Sequence, residues 1–245
     1  MSIVWEITEN GTLYSVRQAG GSVRLYSNRV FHSQWNPDRP IAGAVWDCLS
    51  LPVLFRNQAQ LHHGALLGVG GGAVLRQLEA LRQFESFVGV ELDDVHIDIA
   101  HDWFGVTEEH ANLVHDDAVG WLWRYEGEPF DLLIDDLFGH DEHEPLRAQM
   151  LTQEWVGRLA ELTTESGLLV VNCIDRAELN RARPHFRASG FEHGVSFSQA
   201  QYDNHIGVFS RTALDQKRWL QALSDTALPN QAIRTAKSVI RRKLW

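Results

Sequence analysis

The sequence predicts an α/β protein: a mostly parallel sheet, closed by an antiparallel hairpin and preceded by a small antiparallel β module. Three observations carry this prediction. From Gly64 onward, apolar strand-like segments alternate with amphipathic helical ones, as in a parallel sheet with helices on both faces. A glycine-rich turn joins the first of these strands to the first helix. Before Gly64, roughly the first 35 residues alternate with period two around tight turns.

The N-terminal part of the chain is predicted to form the β module. Residues 3–7 alternate between apolar and polar side chains, and Asn10-Gly11 is a typical hairpin turn. A short helix is expected over 41–51, before Pro52 ends it. We therefore divide the chain into a β-rich module with a short helix, 1–60, and a larger α/β domain with C-terminal helices, 61–245.

The larger domain follows a strand–helix rhythm. Strands are predicted at 64–68, 86–91, 112–115, 131–135 and 167–173, and helices at 72–83, 94–103, 117–124, 146–163 and 176–188. Two more strands, at 191–199 and 204–209, follow without a helix between them, which indicates the closing antiparallel hairpin. The remaining segment, 212–245, is predicted as one or two helices.

Composition narrows the classes of partner. A formal net charge of −10 argues against nucleic-acid binding, which needs a basic surface. No apolar run approaches the ~18 residues of a membrane span. The two cysteines, Cys48 and Cys173, lie far apart, which fits a reducing compartment. We therefore expect a cytoplasmic protein that binds neither nucleic acid nor membrane.

The glycine turn is the first candidate binding element. Residues 68–73 read Gly-Val-Gly-Gly-Gly-Ala and fit the pattern GxGxxA between a strand and a helix. Glycine lets the backbone adopt positive φ and approach a ligand closely. The helix that follows directs free N–H groups and its positive dipole end at that ligand. Its glycines, Gly68, Gly70, Gly71 and Gly72, are therefore candidate contacts of a nucleotide-sized ligand.

Acidic residues end the next two strands. Glu91 ends the second strand about 20 residues after the turn, where a carboxylate accepts hydrogen bonds from ribose hydroxyls. Leu92 follows it and could pack on a purine. The third strand ends in Asp116, Asp117 and Ala118. Asp117 also suits a helix N-cap, so ligand contact and capping both remain open for it.

The fourth strand ends in Asp135 and Asp136. A carboxylate beside the glycine turn can orient or deprotonate an incoming nucleophile, and Asp135 is the residue that we expect in this role. The segment 140–144 adds two histidines and three acids. A solvated loop explains it better than a metal site, because matching ligands are not evident elsewhere. We expect no metal.

With these segments in order, residues 23–209 resemble the spermidine-synthase-like branch of class I S-adenosylmethionine-dependent transferases. That resemblance implies a class I methyltransferase Rossmann-like fold and a homodimer. It implies that Gly68, Gly70 and Gly72 hold the methionine part of the cofactor, with Gly71 in the same turn. Glu91 would bind the ribose, Leu92 the adenine ring and Asp117 the adenine amino group, with Asp116 and Ala118 beside them. Gln34 and Asp136 would face the acceptor.

Two departures from that family pattern decide the predicted reaction. At the glycine turn, aminopropyltransferases carry a motif like GGGDGG. Its acid holds the free amine of decarboxylated S-adenosylmethionine, and in this sequence Gly71 stands in its place. They also carry DxxD after the fourth strand, where Asp135 is followed by Phe138. Loss of a carboxylate beside the cofactor tail relieves repulsion of an intact carboxylate. The sequence therefore predicts intact S-adenosylmethionine and a methyltransferase acting on a small molecule.

Other functions stay open. The first alternative is a polyamine aminopropyltransferase that uses decarboxylated S-adenosylmethionine, because acids concentrated in 131–144 suit a cationic acceptor. A second is a non-catalytic protein of the same fold that binds cofactor or a partner, since the expected acids are missing and nine tryptophans are available for interfaces. A weaker one is a nicotinamide-dependent dehydrogenase, which GxGxxA followed by an acid also fits.

Overall fold

A computed structural model describes residues 1–141 and 144–245, with side chains outside 140–146. The N-terminal module is a four-stranded antiparallel meander in the order β1-β2-β3-β4. Tyr14, Val16 and Leu25 point from its central strands into the core, whereas β1 is exposed along most of its length. The strands are β1 (Ser2–Glu9), β2 (Thr12–Ala19), β3 (Ser22–Ser27) and β4 (Val30–Trp35).

A short connector joins this module to the main sheet. It consists of α1 (Val45–Ser50) and two 3-10 turns, Leu51–Phe55 and Gln58–Gln60. Asp47 is fully buried at the start of α1, where its carboxylate accepts hydrogen bonds from the backbone N–H groups of Gly43 and Ala44. The connector therefore packs as part of the core.

The main sheet has eight strands in the order β14-β12-β13-β11-β8-β5-β6-β7. The five strands from β11 to β7 are parallel, and β13, β12 and β14 are added antiparallel. The chain runs outward from β5 through β6 and β7, and then returns to the other side of β5 with β8. Its strands are β5 (His63–Leu67), β6 (Ser86–Glu91), β7 (Asn112–His115), β8 (Phe130–Asp135), β11 (Thr163–Cys173), β12 (His193–Ser198), β13 (His205–Ser210) and β14 (Ile240–Lys243).

Helices cover both faces of this sheet, each face burying its own apolar cluster. One cluster continues from the sheet into the N-terminal module through Val16 and Leu25, so the predicted boundary at residue 60 does not interrupt the core. The helices are α2 (Ala73–Leu81), α3 (Asp94–Asp102), α4 (Ala118–Arg124), α5 (Gln153–Glu161), α6 (Arg176–Ala188), α7 (Gln216–Ser224) and α8 (Asn230–Ser238).

The predicted fold class is confirmed: the structure is a mixed, mostly parallel α/β sheet with a closing antiparallel hairpin and a separate antiparallel N-terminal sheet. Two elements differ from prediction. The helix expected over 146–163 begins only at Gln153, because a hairpin of β9 (Phe138–Asp141) and β10 (Glu144–Arg147) precedes it. The C-terminus ends in strand β14, paired with β12, and not in a helix.

Within the described part of the chain, none of the helices has the length and apolar character needed to cross a membrane. The predicted 140–144 segment lies partly outside the described residues.

Candidate functional site

A cavity of about 600 Å³ opens at the carboxyl ends of β5, β6 and β8. The strand order reverses beside β5, and this is the position where open α/β sheets bind ligands. The N-terminal module covers one side through Phe31 and His32 of β4, and Trp46 of α1 adds an aromatic wall. The lining brings together these predicted site residues: Gly68, Gly70, Glu91, Leu92, Asp117, Ala118 and Asp136.

The glycine turn approaches the cavity with its backbone. Gly68 has φ +85° and Gly70 has φ +54°, values that disfavour other residues. A Cβ atom on Gly68 would lie 2.4 Å from the carbonyl oxygen of Asp136, so the first glycine also lets β8 pass close by. The turn is therefore fixed against the two strands whose ends frame the cavity.

Glu91 holds this turn in place. Its Oε2 accepts hydrogen bonds from the N–H groups of Val69 (2.9 Å) and Gly70 (2.7 Å), and its Oε1 accepts one from Asp93 N–H (3.0 Å). Burial alone would raise the pKa of Glu91. The His96 ring, 3.8 Å away, and these N–H donors outweigh burial and hold that pKa below its ordinary value. Glu91 is thus an ionised carboxylate at the cavity wall.

His96 links the site to the N-terminal module. Burial lowers its pKa, but the charges of Glu91 and Asp93 outweigh burial and raise the pKa above its ordinary value. Its Nε2 lies 2.7 Å from the hydroxyl of Ser27 on β3. In the same region the Tyr14 hydroxyl donates to Asp93 Oδ2 (2.7 Å). The module is therefore docked onto the acidic end of β6 by polar contacts.

Residues that follow β6 and β7 also line the cavity. Leu92, 69 % exposed, and Ala118 are the apolar ones among them. Asp117 caps α4, accepting from the N–H groups of Val119 and Gly120, and also lines the cavity. Asp116 lies outside the lining, where it forms an ion pair with Arg124 (2.6 Å). Capping and cavity contact are thus compatible for Asp117.

The two acids that end β8 have different surroundings. Asp135 is fully buried, and its Oδ2 accepts hydrogen bonds from Trp155 Nε1 (2.9 Å) and the Arg147 guanidinium. Its charge is therefore matched inside the core. Asp136, one residue further along, lines the cavity, as expected from side-chain alternation along a strand. We predicted Asp135 as the base. Asp136 is the acid that reaches the cavity, and it is therefore the candidate for this role.

The pKa of the Asp136 carboxyl is raised towards neutral pH. Burial, together with the neighbouring charges of Asp135 and Glu91, raises its pKa to about 7, although Asn172 and Arg147 act in the opposite direction. Asn172 Nδ2 donates to Asp136 Oδ1 at 2.7 Å. A carboxylate with this pKa can accept a proton from a bound substrate and release it again.

Five predicted site residues lie outside the cavity lining: Asp116 and Asp135, described above, and Gln34, Gly71 and Gly72. Gln34 accepts a hydrogen bond from Arg24 within the N-terminal sheet (2.7 Å). Gly72 is the N-cap of α2. Gly71 is closed in by packing: a Cβ atom there would lie 2.8 Å from the Phe104 ring and 2.9 Å from Ser33 Cβ. The glycine at 71 is therefore explained by contact with β4.

Sequence reasoning missed the residues that come from distant segments. His32, Asn172, Tyr202 and Asn204 all line the cavity. Their place in the predicted topology is the one sequence feature that could have identified them. Asn172 lies at the end of a strand, at the same sheet edge as Asp136, and Tyr202 and Asn204 lie in the polar turn of the hairpin. Asp131, which we grouped with the acids of 131–144, is at the opposite end of β8, where it accepts from His62 N–H (2.8 Å).

Similar proteins support this architecture. No family model matches the chain. A polyamine aminopropyltransferase from Vibrio vulnificus is 27% identical over 171 residues, which cover 68% of this chain and 51% of that protein. Another from Lachnospira eligens is 27% identical over 113 residues, covering 43% of this chain and 37% of the relative. The chain thus matches about half the length of these curated relatives, or less.

Solved structures agree on the fold. A probable spermidine synthase from Corynebacterium glutamicum superposes with a TM-score of 0.70 at 17% identity, covering 97% of this chain and 95% of that chain. The fold is spermidine-synthase-like. This class I fold is shared more distantly by human methyltransferase-like protein 13, solved in complex with SAH, with a TM-score of 0.56 at 15% identity over 81% of this chain and 90% of that one.

These comparisons correct the predicted reaction. The sequence relatives are named polyamine aminopropyltransferases, and solved neighbours with the higher TM-scores are named spermidine synthases. Our methyltransferase prediction depended on Gly71 and on Phe138 in place of the second acid, and it is wrong on this finding. The packing of Gly71 gives the physical reason: a side chain at this position would meet Phe104, which follows α3, and Ser33 on β4, and these close contacts explain the missing acid.

Proposed function

We propose that the protein is an aminopropyltransferase that moves the aminopropyl group of decarboxylated S-adenosylmethionine to an amine of the polyamine class. The observation that carries this proposal is Asp136, a carboxylate in the cavity wall beside the glycine turn with a pKa raised to about 7. A protonated amine must lose a proton before it can attack, and a base titrating near neutral pH suits that step.

The cavity fits a nucleoside donor. Glu91 is ionised and presents its carboxylate where ribose hydroxyls can donate to it, and Leu92 with Ala118 offers an apolar slot for the base. The turn from Gly68 to Gly70 leaves room for the sulfonium end, since a side chain at either position is excluded by backbone conformation. These residues would hold the donor between β6 and β8.

The reaction then follows from position. The donor supplies a carbon activated by the adjacent sulfonium. Asp136 accepts the proton from the acceptor ammonium, which frees the nitrogen lone pair to attack that carbon. The new carbon–nitrogen bond forms as the carbon–sulfur bond breaks, and the sulfur keeps the bonding electron pair as a neutral thioether. In-line positioning by the two halves of the cavity supplies the rest of the rate enhancement.

A direct assay tests this proposal. Purified protein is incubated with decarboxylated S-adenosylmethionine and one amine at a time: putrescine, cadaverine or spermidine. The products are identified by mass spectrometry. We expect one aminopropyl group to be added to at least one amine, and Asp136→Asn to slow formation of that product about 10²- to 10⁴-fold. Intact S-adenosylmethionine serves as the donor control. Donor binding without transfer to any amine would contradict the proposal and favour a non-catalytic role.

We also propose a homodimer formed through the N-terminal module. Its support is β1, an open sheet edge on which Ile3, Val4 and Ile7 are exposed; such edges tend to be covered by another chain. Light scattering coupled to size-exclusion chromatography tests it: Ile3→Lys with Ile7→Lys should give a monomer. A wild-type monomer would exclude the homodimer.

A further inference from the structure

A chain of amide groups connects the closing hairpin to the candidate base. Asn204, in the turn just before β13, donates from Nδ2 to Asn172 Oδ1 at 3.0 Å. Asn172, next to the last residue of β11, donates from its own Nδ2 to Asp136 Oδ1 at 2.7 Å. All three side chains line the cavity.

The hydrogen bonds of these amide groups all run in one direction, from Asn204 through Asn172 to Asp136. An amide has a donor end and an acceptor end, whereas an ionised carboxylate only accepts. If Asn172 turned over, its Oδ1 would face the Asp136 carboxylate, acceptor against acceptor. The carboxylate therefore sets the direction, and Asn204 adds to it because its Nδ2 donates to the Oδ1 end of Asn172. The hairpin turn thus stabilises the orientation in which Asn172 donates to Asp136.

The backbone keeps this chain in register. Asn172 pairs with Ile206, and Cys173 pairs with His205, across β11 and β13, so the turn holding Asn204 comes next to the end of β11. The Arg147 guanidinium donates to the carbonyl oxygen of Asn172 at 2.6 Å, which fixes its backbone from the other side. The main freedom left to Asn172 is rotation of its amide, and the hydrogen bond from Asn204 opposes that rotation.

We infer that Asn204, acting through Asn172, is a positioning residue that orients the Asp136 carboxylate and adjusts its basicity for proton transfer. This inference rests on the proposed function for its role in turnover. The charged groups around Asp136 are Asp135 on its own strand, Arg147 on β10 and Glu91 on β6. None of these is changed by substitutions at 204, so the effect of the amide chain can be measured separately.

Asn204→Ala removes the group that fixes the Asn172 amide. Loss of a hydrogen bond to a carboxylate raises its pKa, and we expect the pKa of Asp136 to rise by about one pH unit. Ionisation of the base at pH 7 then falls about fivefold, and with it kcat/KM, whereas at pH 9 the variant approaches wild type. A merely structural role would lower activity equally at all pH values.

Asp203→Asn is the matched control. Asp203 is exposed in the same turn, and removing its negative charge would move the pKa of Asp136 downward if it had any effect. Asn172→Ala is the second variant, and it should raise the pKa at least as far as Asn204→Ala. Because Asn172 is buried, circular dichroism checks that the Asn172→Ala variant folds. If that variant unfolds, Asn204→Ala decides the question, since Asn204 is only half-buried.

The pKa itself is measured by NMR on protein carrying ¹³Cγ-labelled aspartate, with Asp136→Asn identifying the resonance. An upward move in Asn204→Ala but not in Asp203→Asn supports the inference. An unchanged pKa in Asn204→Ala and in folded Asn172→Ala overturns it. The two proposals fail on different results. If the wild type transfers no aminopropyl group, the aminopropyltransferase proposal fails, and the NMR result still stands. If the wild type is active but the pKa of Asp136 is unchanged in the variants, only the role of the amide chain is rejected.

Discussion

The glycine-turn half of the cavity is held mainly by backbone groups, whereas the Asp136 half is held by side chains from distant segments. At the turn, the N–H groups of Val69 and Gly70 converge on the carboxylate of Glu91. At the end of β8, Asp136 depends on Asn172, which is 36 residues away along the chain. The first half is built by a local turn, so few substitutions preserve it. The second half can be retuned by single substitutions.

The two acids at the end of β8 show how sharply a strand separates roles. Asp135 faces Arg147 and Trp155 in the core, and Asp136 faces the cavity. A neutral isostere at each position should therefore have opposite consequences, one for stability and one for turnover. This gives the strongest test of the difference between holding the fold and performing chemistry.

Asp136→Asn should give the largest effect on activity. We expect kcat/KM for aminopropyl transfer to fall about 10²- to 10⁴-fold, the range for loss of a general base, while donor affinity measured by calorimetry stays close to wild type. Because burial raises the pKa of Asp136 in the folded protein, its ionised form costs stability above that pKa. The variant should therefore unfold at the same or a higher temperature at pH 8. Retained activity would remove Asp136 from the proposed chemistry.

Asp135→Asn should instead affect stability most. It leaves the Arg147 guanidinium, only 4% exposed, without its buried carboxylate. Removing one partner of a buried ion pair costs about 3–5 kcal/mol in the free energy of unfolding. Urea denaturation of the variant beside Asp136→Asn measures this difference. If Asp135→Asn were as stable as wild type but inactive, the roles of the two acids would have to be exchanged.

Glu91→Gln tests the glycine-turn half. The amide can still accept one N–H bond from the turn, but the charge beside His96, which we propose binds the ribose hydroxyls, is lost. Affinity for the thioether nucleoside product should fall about 10- to 100-fold in calorimetry, as expected for a charge-assisted hydrogen bond. Asp116→Asn, on the neighbouring strand but outside the cavity lining, is the matched control and should bind as wild type. Equal affinities would place the nucleoside elsewhere.

Gly71→Ala asks whether the glycine is there for packing. The added Cβ would meet the Phe104 ring at 2.8 Å, and overpacking of this kind costs about 1–3 kcal/mol. Phe104→Leu introduced together with it should recover part of that loss by making room. Thermal unfolding of the single and double variants checks both expectations. A single variant as stable as wild type would reopen the cofactor-tail explanation of Gly71.

The same contrast explains what the sequence could predict. The glycine turn and Glu91 were recognisable because each is a local pattern at the end of an apolar strand. The choice between Asp135 and Asp136 depends on which one Arg147 and Trp155 contact, and this information is spread over 20 residues. Strand β14 was missed because a basic sheet edge lacks apolar alternation. The helix start was misplaced because Leu146, in β10, happens to match helical spacing with Met150.

His96→Gln gives the smallest expected effect and tests how the N-terminal module is coupled to the turn. The charges of Glu91 and Asp93, each 3.8 Å from the ring, raise the pKa of His96 in the folded protein despite burial. A raised histidine pKa adds stability that is complete below the unfolded-state value of about 6.5 and disappears as pH rises through the folded-state pKa.

The stability gap between wild type and His96→Gln should therefore be larger at pH 6 than at pH 9. Glu91, whose pKa is lowered, sets the acid limit, since its contribution is lost only as pH falls below its unfolded value of about 4.3. Urea denaturation across this range measures the gap, with His115→Gln, exposed at the end of β7, as the control variant. A pH-independent gap would mean that His96 joins the module to β6 as a neutral ring through Ser27, and that the two halves of the cavity differ in packing and not in charge.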